Sequence, residues 1–228
     1  MAMIPVRDIE LRNSEFLDIL NEYKDILLKK EEGSTEPLVA KGLPISNLDD
    51  KAEDFVSDEY LQEIIAMETK HDGFPAKLKG FTGLKHQDFT TNSNEYTKKV
   101  KDATKNLNSK LIEYLSCRNN ALNACYPPGG FISWHNNANA KGYNIIITYS
   151  ETGDGWFDYW DLDKKERVRI QDVPGWQAKM TYFGPYDAPD KLCYHAAYTD
   201  CYRITCAFVF AEADEFWEDV IEDLETEC

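Results

Sequence analysis

The sequence predicts an α+β chain with a mainly β core, an antiparallel barrel or jelly roll, preceded by helices and followed by an acidic helix. Three observations predict it. Segments between residues 14 and 117 carry apolar side chains at helical spacing. From about residue 120, eight short β-branched and aromatic runs follow within about 90 residues, separated by Gly, Pro, Asp and Asn. The last segment, EADEFWEDVIEDLETEC, returns to helical spacing.

The first helix is read in SEFLDILNEYKDILLKK, with Ser14 as its cap and Phe16, Leu17, Ile19, Leu20, Tyr23, Ile26 and Leu27 on one broad face; EEGSTEPL ends it with Gly and Pro. The second is SDEYLQEIIAMETKHDG, capped by Ser57, with Asp58 and Glu59 at the positive end of its dipole and Gly73 as its stop. The third lies in SNEYTKKVKDATKNLNSKLIEYLSC, which spaces Val100, Leu107, Leu111 and Leu115 as a helix does. The eight strand-like runs are ALNACY, FISWH, YNIIITYS, WFDYWD, RVRIQDV, QAKMTYF, KLCYHAAY and YRITCAFVF. In the acidic tail, Phe216, Trp217, Val220, Ile221 and Leu224 form the apolar stripe of a helix that packs on the barrel or covers its mouth. These boundaries divide the chain into a helical segment (1–120), a β core (121–211) and a closing helix (212–228), all within one compact unit.

The 228 residues suffice for one large domain. A net charge of −16 argues against broad contact with nucleic-acid phosphates, while leaving room for a small anion held by one or two local cations. No apolar run reaches the roughly 18 residues that span a bilayer, and MAMIPVRDIELRN lacks a secretory signal, so a cytoplasmic protein is expected. The six cysteines form no C-x-x-C pair and are expected to be buried, reduced thiols rather than a zinc site or disulfides.

Four histidines are present: His71, His86, His135 and His195. The last two stand in strand-like contexts at opposite ends of the β region, and a jelly roll brings its second and seventh strands together at one mouth. A lone strand histidine is usually structural. Two imidazoles plus an oxygen ligand on one face, however, leave positions open for a substrate and a gas, as in non-haem Fe(II) oxygenases. A literal H-x-D at His86-Gln87-Asp88 follows GFTGL without a Gly-Gly pair, precedes the polar stretch TTNSNEY, and reads as a surface loop or cap, and His71 reads as a helix-end residue.

The segment YPPGGFISWHNN resembles the Y-x-x-G-G-x-x-x-x-H-x-D stretch of prolyl-hydroxylase-type 2-oxoglutarate/Fe(II) oxygenases: Tyr126, Gly129, Gly130 and His135 match, with Asn137 in the Asp place. Downstream, YNIIITYSETGDGWFDYWD resembles the family's strand–turn–strand, and YHAAYTDCYRITCAFVF its distal histidine followed by a basic residue, here Arg203, eight positions after His195. The resemblance covers roughly residues 121–211. It implies a double-stranded β-helix (jelly roll) core and a dioxygenase that uses Fe(II), 2-oxoglutarate and O2 to hydroxylate a protein side chain or a small molecule. It further implies metal ligation by His135, His195 and Asn137 (or a water in its place), with Arg203 on the 2-oxoglutarate C5 carboxylate. Arg203 lies in an otherwise apolar run and needs an anionic partner when buried. Asp200 is the one acid close to it in sequence, so a bound carboxylate is the expected partner, with Tyr126 and either Thr148 or Asn144 as further donors.

Asn137 removes a negative charge from this set, so weaker Fe(II) binding is expected; halogenation, which in relatives goes with a small Gly or Ala, is the poorer guess. Asn136, Asn139, Asp154 and Asp158 are polar neighbours outside the motif position. Of Trp156, Phe157, Tyr159 and Trp160, alternation sends about half to the core and leaves the others for a cleft. The alternatives are a jelly-roll binding module without redox chemistry, or a cupin-type metal enzyme without 2-oxoglutarate. Substrate and oligomeric state stay open.

Overall fold

The computed structural model describes residues 6–84, 94–210 and 217–227. Two five-stranded antiparallel sheets face each other. The strands are β1 (Val6–Ile9), β2 (Leu78–Lys79), β3 (Asn119–Tyr126), β4 (Gly130–His135), β5 (Gly142–Ser150), β6 (Gly155–Asp161), β7 (Glu166–Gln171), β8 (Gly175–Phe183), β9 (His195–Thr199) and β10 (Arg203–Val209). One sheet has the order β1-β8-β5-β10-β3 and the other β2-β4-β9-β6-β7. All eight strand-like runs are strands, although only the second half of KLCYHAAY belongs to β9. The segment before residue 120 also contributes an edge strand to each sheet, β1 on β8 and β2 on β4, which the helical reading of that segment omitted.

The main helices are α1 (Ser14–Leu27), α2 (Leu38–Gly42), α3 (Glu53–Val56), α4 (Asp58–Met67), α5 (Glu95–Tyr114) and α6 (Trp217–Glu225). The cap of α1 is Asn13, whose side chain accepts the Phe16 N–H at 3.0 Å, rather than Ser14. Ser57 caps α4 as expected, and Asn94 caps α5 through the Thr97 N–H. The second helix ends at Met67, before Gly73, because Glu68 leaves helical backbone with φ 47°. His86-Gln87-Asp88 and Phe216 lie outside the described residues.

Strand alternation divides the core into layers. One face of the first sheet (Cys125, Ile145, Ile147, Ala178, Met180, Ile204, Cys206, Phe208) packs under α1, α5 and α6, through Phe16, Leu20, Val100, Leu107, Leu111, Ile221 and Leu224. The acidic helix therefore lies on this outer layer, where Trp217 stacks on Tyr143 at 4.4 Å. The outer face of the second sheet, with Phe131, Trp134 and Ala196, packs on α3 and α4. Cys117, Cys125, Cys193, Cys201 and Cys206 are free and buried. Among the described residues, no helix is long and apolar enough to cross a membrane.

Candidate functional site

The inner faces of the two sheets enclose a cavity of about 580 Å³. His135, the last residue of β4, and His195, the first of β9, are register partners with ring centroids 4.1 Å apart, and both line that cavity. A bulge brings them together. Between Ile132 and His135, β4 carries one residue more than β9 opposes, since Ile132 pairs with Ala197 and His135 with His195. Strict alternation from inward Ile132 would turn Trp134 in and His135 out. The extra residue reverses that, leaving Trp134 in the outer cluster and His135 on the cavity. Ahead of it, Gly129 turns the chain with φ 75°, and a Cβ on Gly130 would lie 2.7 Å from the Tyr126 Cβ.

Both imidazoles are held in one tautomer. His135 Nδ1 is 2.8 Å from the Ser133 carbonyl and His195 Nδ1 is 2.8 Å from the Cys193 carbonyl. A carbonyl only accepts, so each Nδ1 carries the proton and each Nε2 keeps a lone pair. Burial holds both rings neutral: His135 well below its ordinary range, with the neighbouring His195 adding to the effect, and His195 down to about 4. Phe183 stacks on His195 at 4.8 Å and Phe157 at 5.6 Å, which fixes the ring plane. Alternation thus puts Phe157 on the cavity and Trp156 and Trp160 on the outer cluster. Phe183 was not singled out from the sequence, where QAKMTYF reads as an ordinary half-buried strand.

Asn137 joins the pair. Its Nδ2 donates to His195 Nε2 at 3.3 Å, its backbone N–H to Gly73 at 2.9 Å, and its φ of 52° is the left-handed conformation that asparagine tolerates best among residues with a Cβ. His71 is buried nearby with Nδ1 accepting the Gly73 N–H, so it props the segment that holds Asn137 and does not line the cavity. Of the polar neighbours, Asn139 lines the cavity, Asn136 is buried and binds the Ala138 N–H, and Asp154 caps the Thr152 hydroxyl. Asp158 faces outward, where Arg167 and Arg169 bind it.

Arg203, the first residue of β10, is 2% exposed and lines the far end of the cavity from the histidines. Its anionic partner is Asp172, in the turn after β7, and not Asp200. Nε donates to Asp172 at 2.8 Å, Nη2 more loosely at 3.5 Å, and Nη1 to the Thr205 hydroxyl at 2.7 Å. Asp200 instead accepts from the Tyr198 hydroxyl. The expectation that Arg203 lacks an acid of its own chain is therefore corrected; sequence proximity concealed a contact that the sheet topology makes. Gly155 allows it, because a Cβ there would lie 2.7 Å from the Asp172 carboxylate. Three of the five guanidinium N–H groups are used, leaving two.

Tyr126 is the register partner of Arg203, and the guanidinium carbon lies 5.8 Å from its ring. Its hydroxyl is buried with no partner among the described residues, and burial pushes its pKa up, so it remains a donor. Asn144 belongs to the other end: it pairs with Val209, whereas Ser150 pairs with Arg203. Its Nδ2 binds the Gly142 carbonyl at 3.0 Å, and its Oδ1 is buried without a partner among the described residues. Thr148 is buried opposite Thr205 but does not line the cavity. The structure thus brings His135, His195 and Asn137 together at one end and Arg203 and Tyr126 at the other. Among the described residues, no cluster of three His, Cys, Asp or Glu side chains forms a metal site.

No protein-family model and no curated protein matches the chain. Similar solved structures include a Pseudomonas putida prolyl-4-hydroxylase, at TM-score 0.33 and 13% identity over 67% of this chain and 85% of that one. A prolyl hydroxylase in complex with a hypoxia inducible factor oxygen degradation domain peptide fragment from Trichoplax adhaerens has TM-score 0.31 and 14% identity over 90% and 94%. A dioxygenase for auxin oxidation in rice has TM-score 0.35 and 14% identity over 87% and 71%. At these scores the likenesses assign neither a family nor an activity.

Proposed function

We propose that the chain is an Fe(II)/2-oxoglutarate-dependent dioxygenase, with the two sheets forming a double-stranded β-helix around its site. The observation that carries this reading is the histidine pair: two neutral imidazoles on adjacent strands, each with Nδ1–H tied to a carbonyl and its lone pair on Nε2, which on His195 accepts from Asn137 until a metal displaces it. The strand order supports the β-helix, because β3, β5, β8 and β10 share one sheet and β4, β6, β7 and β9 the other, so the chain crosses repeatedly between facing layers.

The residues fit the implied groups. His135 and His195 would hold the metal through Nε2. The Asn137 side chain would complete the face through its amide oxygen after giving up its bond to His195, or would leave that position to water. At the other end, the two unused N–H groups of Arg203 and the unpartnered Tyr126 hydroxyl would bind the 2-oxoglutarate C5 carboxylate. When bound, Fe(II) with 2-oxoglutarate and O2 supplies oxidative decarboxylation to succinate and CO2, coupled to hydroxylation of a substrate C–H bond. The chain's own contribution is orientation and exclusion of water. The Ser133 and Cys193 carbonyls fix the ligand tautomers, Phe157 and Phe183 fix the His195 plane, and Ile146 and Ala207 give the cavity apolar walls. A protein side chain or a small molecule is the substrate class, and the exposed Phe74 is among the residues lining the cavity it would enter.

The test is succinate formation from 2-oxoglutarate with Fe(II) in air. The wild type is expected to form succinate without added substrate, by uncoupled turnover, and H135A to form none. Succinate formation that is absent, or that survives in H135A, rejects the reading. One observation favours a binding module instead: Arg203 and His195 already have partners in Asp172 and Asn137. A module of that kind would bind a carboxylate with no dependence on metal or on either histidine.

A further inference from the structure

Behind the Arg203 end of the cavity lies a charge cluster that the ligand reading leaves unused. Arg203, Asp172 and Lys179 are 2%, 3% and 4% exposed. Lys179, on β8, shares the inward face with Thr181 and Phe183, and its Nζ donates to the Gln177 side chain at 3.2 Å. That bond leans the ammonium toward the strand position of Thr148, which pairs with both Gln177 and Thr205. Its closest acid is Asp8 on β1, at 3.8 Å with a side chain 72% exposed, so water screens that partner. Burial lowers the Lys179 pKa, while Asp8 and Asp172 raise it and Arg203 lowers it, so its charge is coupled to the pair across the sheet. The buried groups therefore carry one positive charge in excess, in a low-dielectric interior where an unbalanced charge is costly.

We propose that Asp172 and Lys179 set the affinity of the Arg203 end of the cavity for a carboxylate, in opposite senses, without touching it. This rests on the assignment of that end as the carboxylate site, but not on the metal. Asp172 points the Arg203 fork and cancels its charge, which keeps the guanidinium stable in the empty cavity and moderates its pull on an anion. Lys179 supplies the excess positive charge that a bound carboxylate neutralises. Neither is a catalytic residue: Asp172 acts through Arg203, and Lys179 lies off the cavity wall and acts through its field.

The experiment is calorimetric titration of succinate and of 2-oxoglutarate, each without metal and with Mn(II), on folded wild-type and variant chains. Asp172→Asn raises the buried excess by one charge and is expected to tighten the carboxylate about tenfold, and Lys179→Met removes the excess and is expected to weaken it about tenfold. The double variant D172N/K179M restores the wild-type excess and is expected to return to near wild-type affinity. Asp172→Glu and Lys179→Arg keep the charges and are expected to stay near wild type. Should Asp172→Asn not fold, Lys179→Met, Lys179→Arg and the double variant decide. Shifts of the same sign, no shift, or a double variant as weak as Lys179→Met overturn the proposal, as does a wild type that binds neither carboxylate. Mn(II) bound on the two histidines without carboxylate binding overturns this proposal and leaves the metal reading standing. Opposed carboxylate shifts without Mn(II) binding uphold it and overturn the oxygenase reading.

Discussion

Asn137→Asp puts a carboxylate at the position facing the histidine pair. The backbone there can accept it, because aspartate is among the few residues that tolerate the left-handed φ of 52°. In the wild type a metal must displace the 3.3 Å bond from the Asn137 amide to His195 Nε2, a neutral hydrogen bond worth about 1 kcal/mol. A full negative charge about 4 Å from a dication adds about 2 kcal/mol even at a water-like dielectric, and more in the partly dry cavity. The expected gain in Mn(II) affinity is therefore roughly 100-fold. It is read by titrating Mn(II) and following the free-ion paramagnetic resonance signal, with no carboxylate present. The same substitution in an H195A background should recover only a small part of the gain. Unchanged or weaker Mn(II) binding in N137D, or an equal gain without His195, would refute the placement of the metal between these side chains.

Three further outcomes follow from buried groups. The His195 pKa, about 4 in the fold against an ordinary 6.5, means that the unfolded chain takes up the proton first. Stability is then complete above about pH 6.5 and falls by about 3 kcal/mol toward pH 4 from this residue alone, and urea denaturation should show a flatter profile in H195Q. Asp158 has a side chain with 0% exposure and is bound by Arg167 and Arg169, so R167M/R169M strands a buried carboxylate and should cost about 3–5 kcal/mol, well beyond the cost of D158N in the same denaturation assay. Gly155→Ala drives a methyl group against Asp172 at 2.7 Å and the Tyr198 carbonyl at 2.9 Å; it should lower stability by about 1–3 kcal/mol in calorimetric melts.

The β region was legible because its runs are β-branched and aromatic and punctuated by turns, and each of the eight contributes a strand. The edge strands VRDI and LK were not legible: four and two residues give no alternation to read, and pairing with β8 and β4 makes them strands. Asn13 and Ser14 are both good caps, and local sequence does not choose between adjacent caps; the chain entry set by the Leu224 carbonyl favours Asn13. At the site, His135, His195 and Arg203 stood out through spacing within a motif. The bulge that turns His135 inward leaves no trace in composition, since ISWH reads as plain alternation. Asp172 was missed for a different reason. It lies 31 residues before Arg203 in sequence, in a turn whose Pro174-Gly175 signal marks the turn but not its partner, and reaches the guanidinium because β6 and β7 return it beside β10. Asn144 was grouped with the carboxylate donors because it shares a strand with Thr148, yet four residues along a strand carry it some 13 Å toward the histidine end.

The central claim is that one cavity holds a metal on His135 and His195 and a carboxylate on Arg203. A crystal structure of the chain grown with Mn(II) and 2-oxoglutarate tests it most directly. The account predicts Mn(II) about 2.0–2.3 Å from both Nε2 atoms, with the 2-oxoglutarate C5 carboxylate on the free N–H groups of Arg203 and the Tyr126 hydroxyl. Histidine Nε2 atoms without metal, or a carboxylate bound anywhere but the Arg203 end of the cavity, would contradict it.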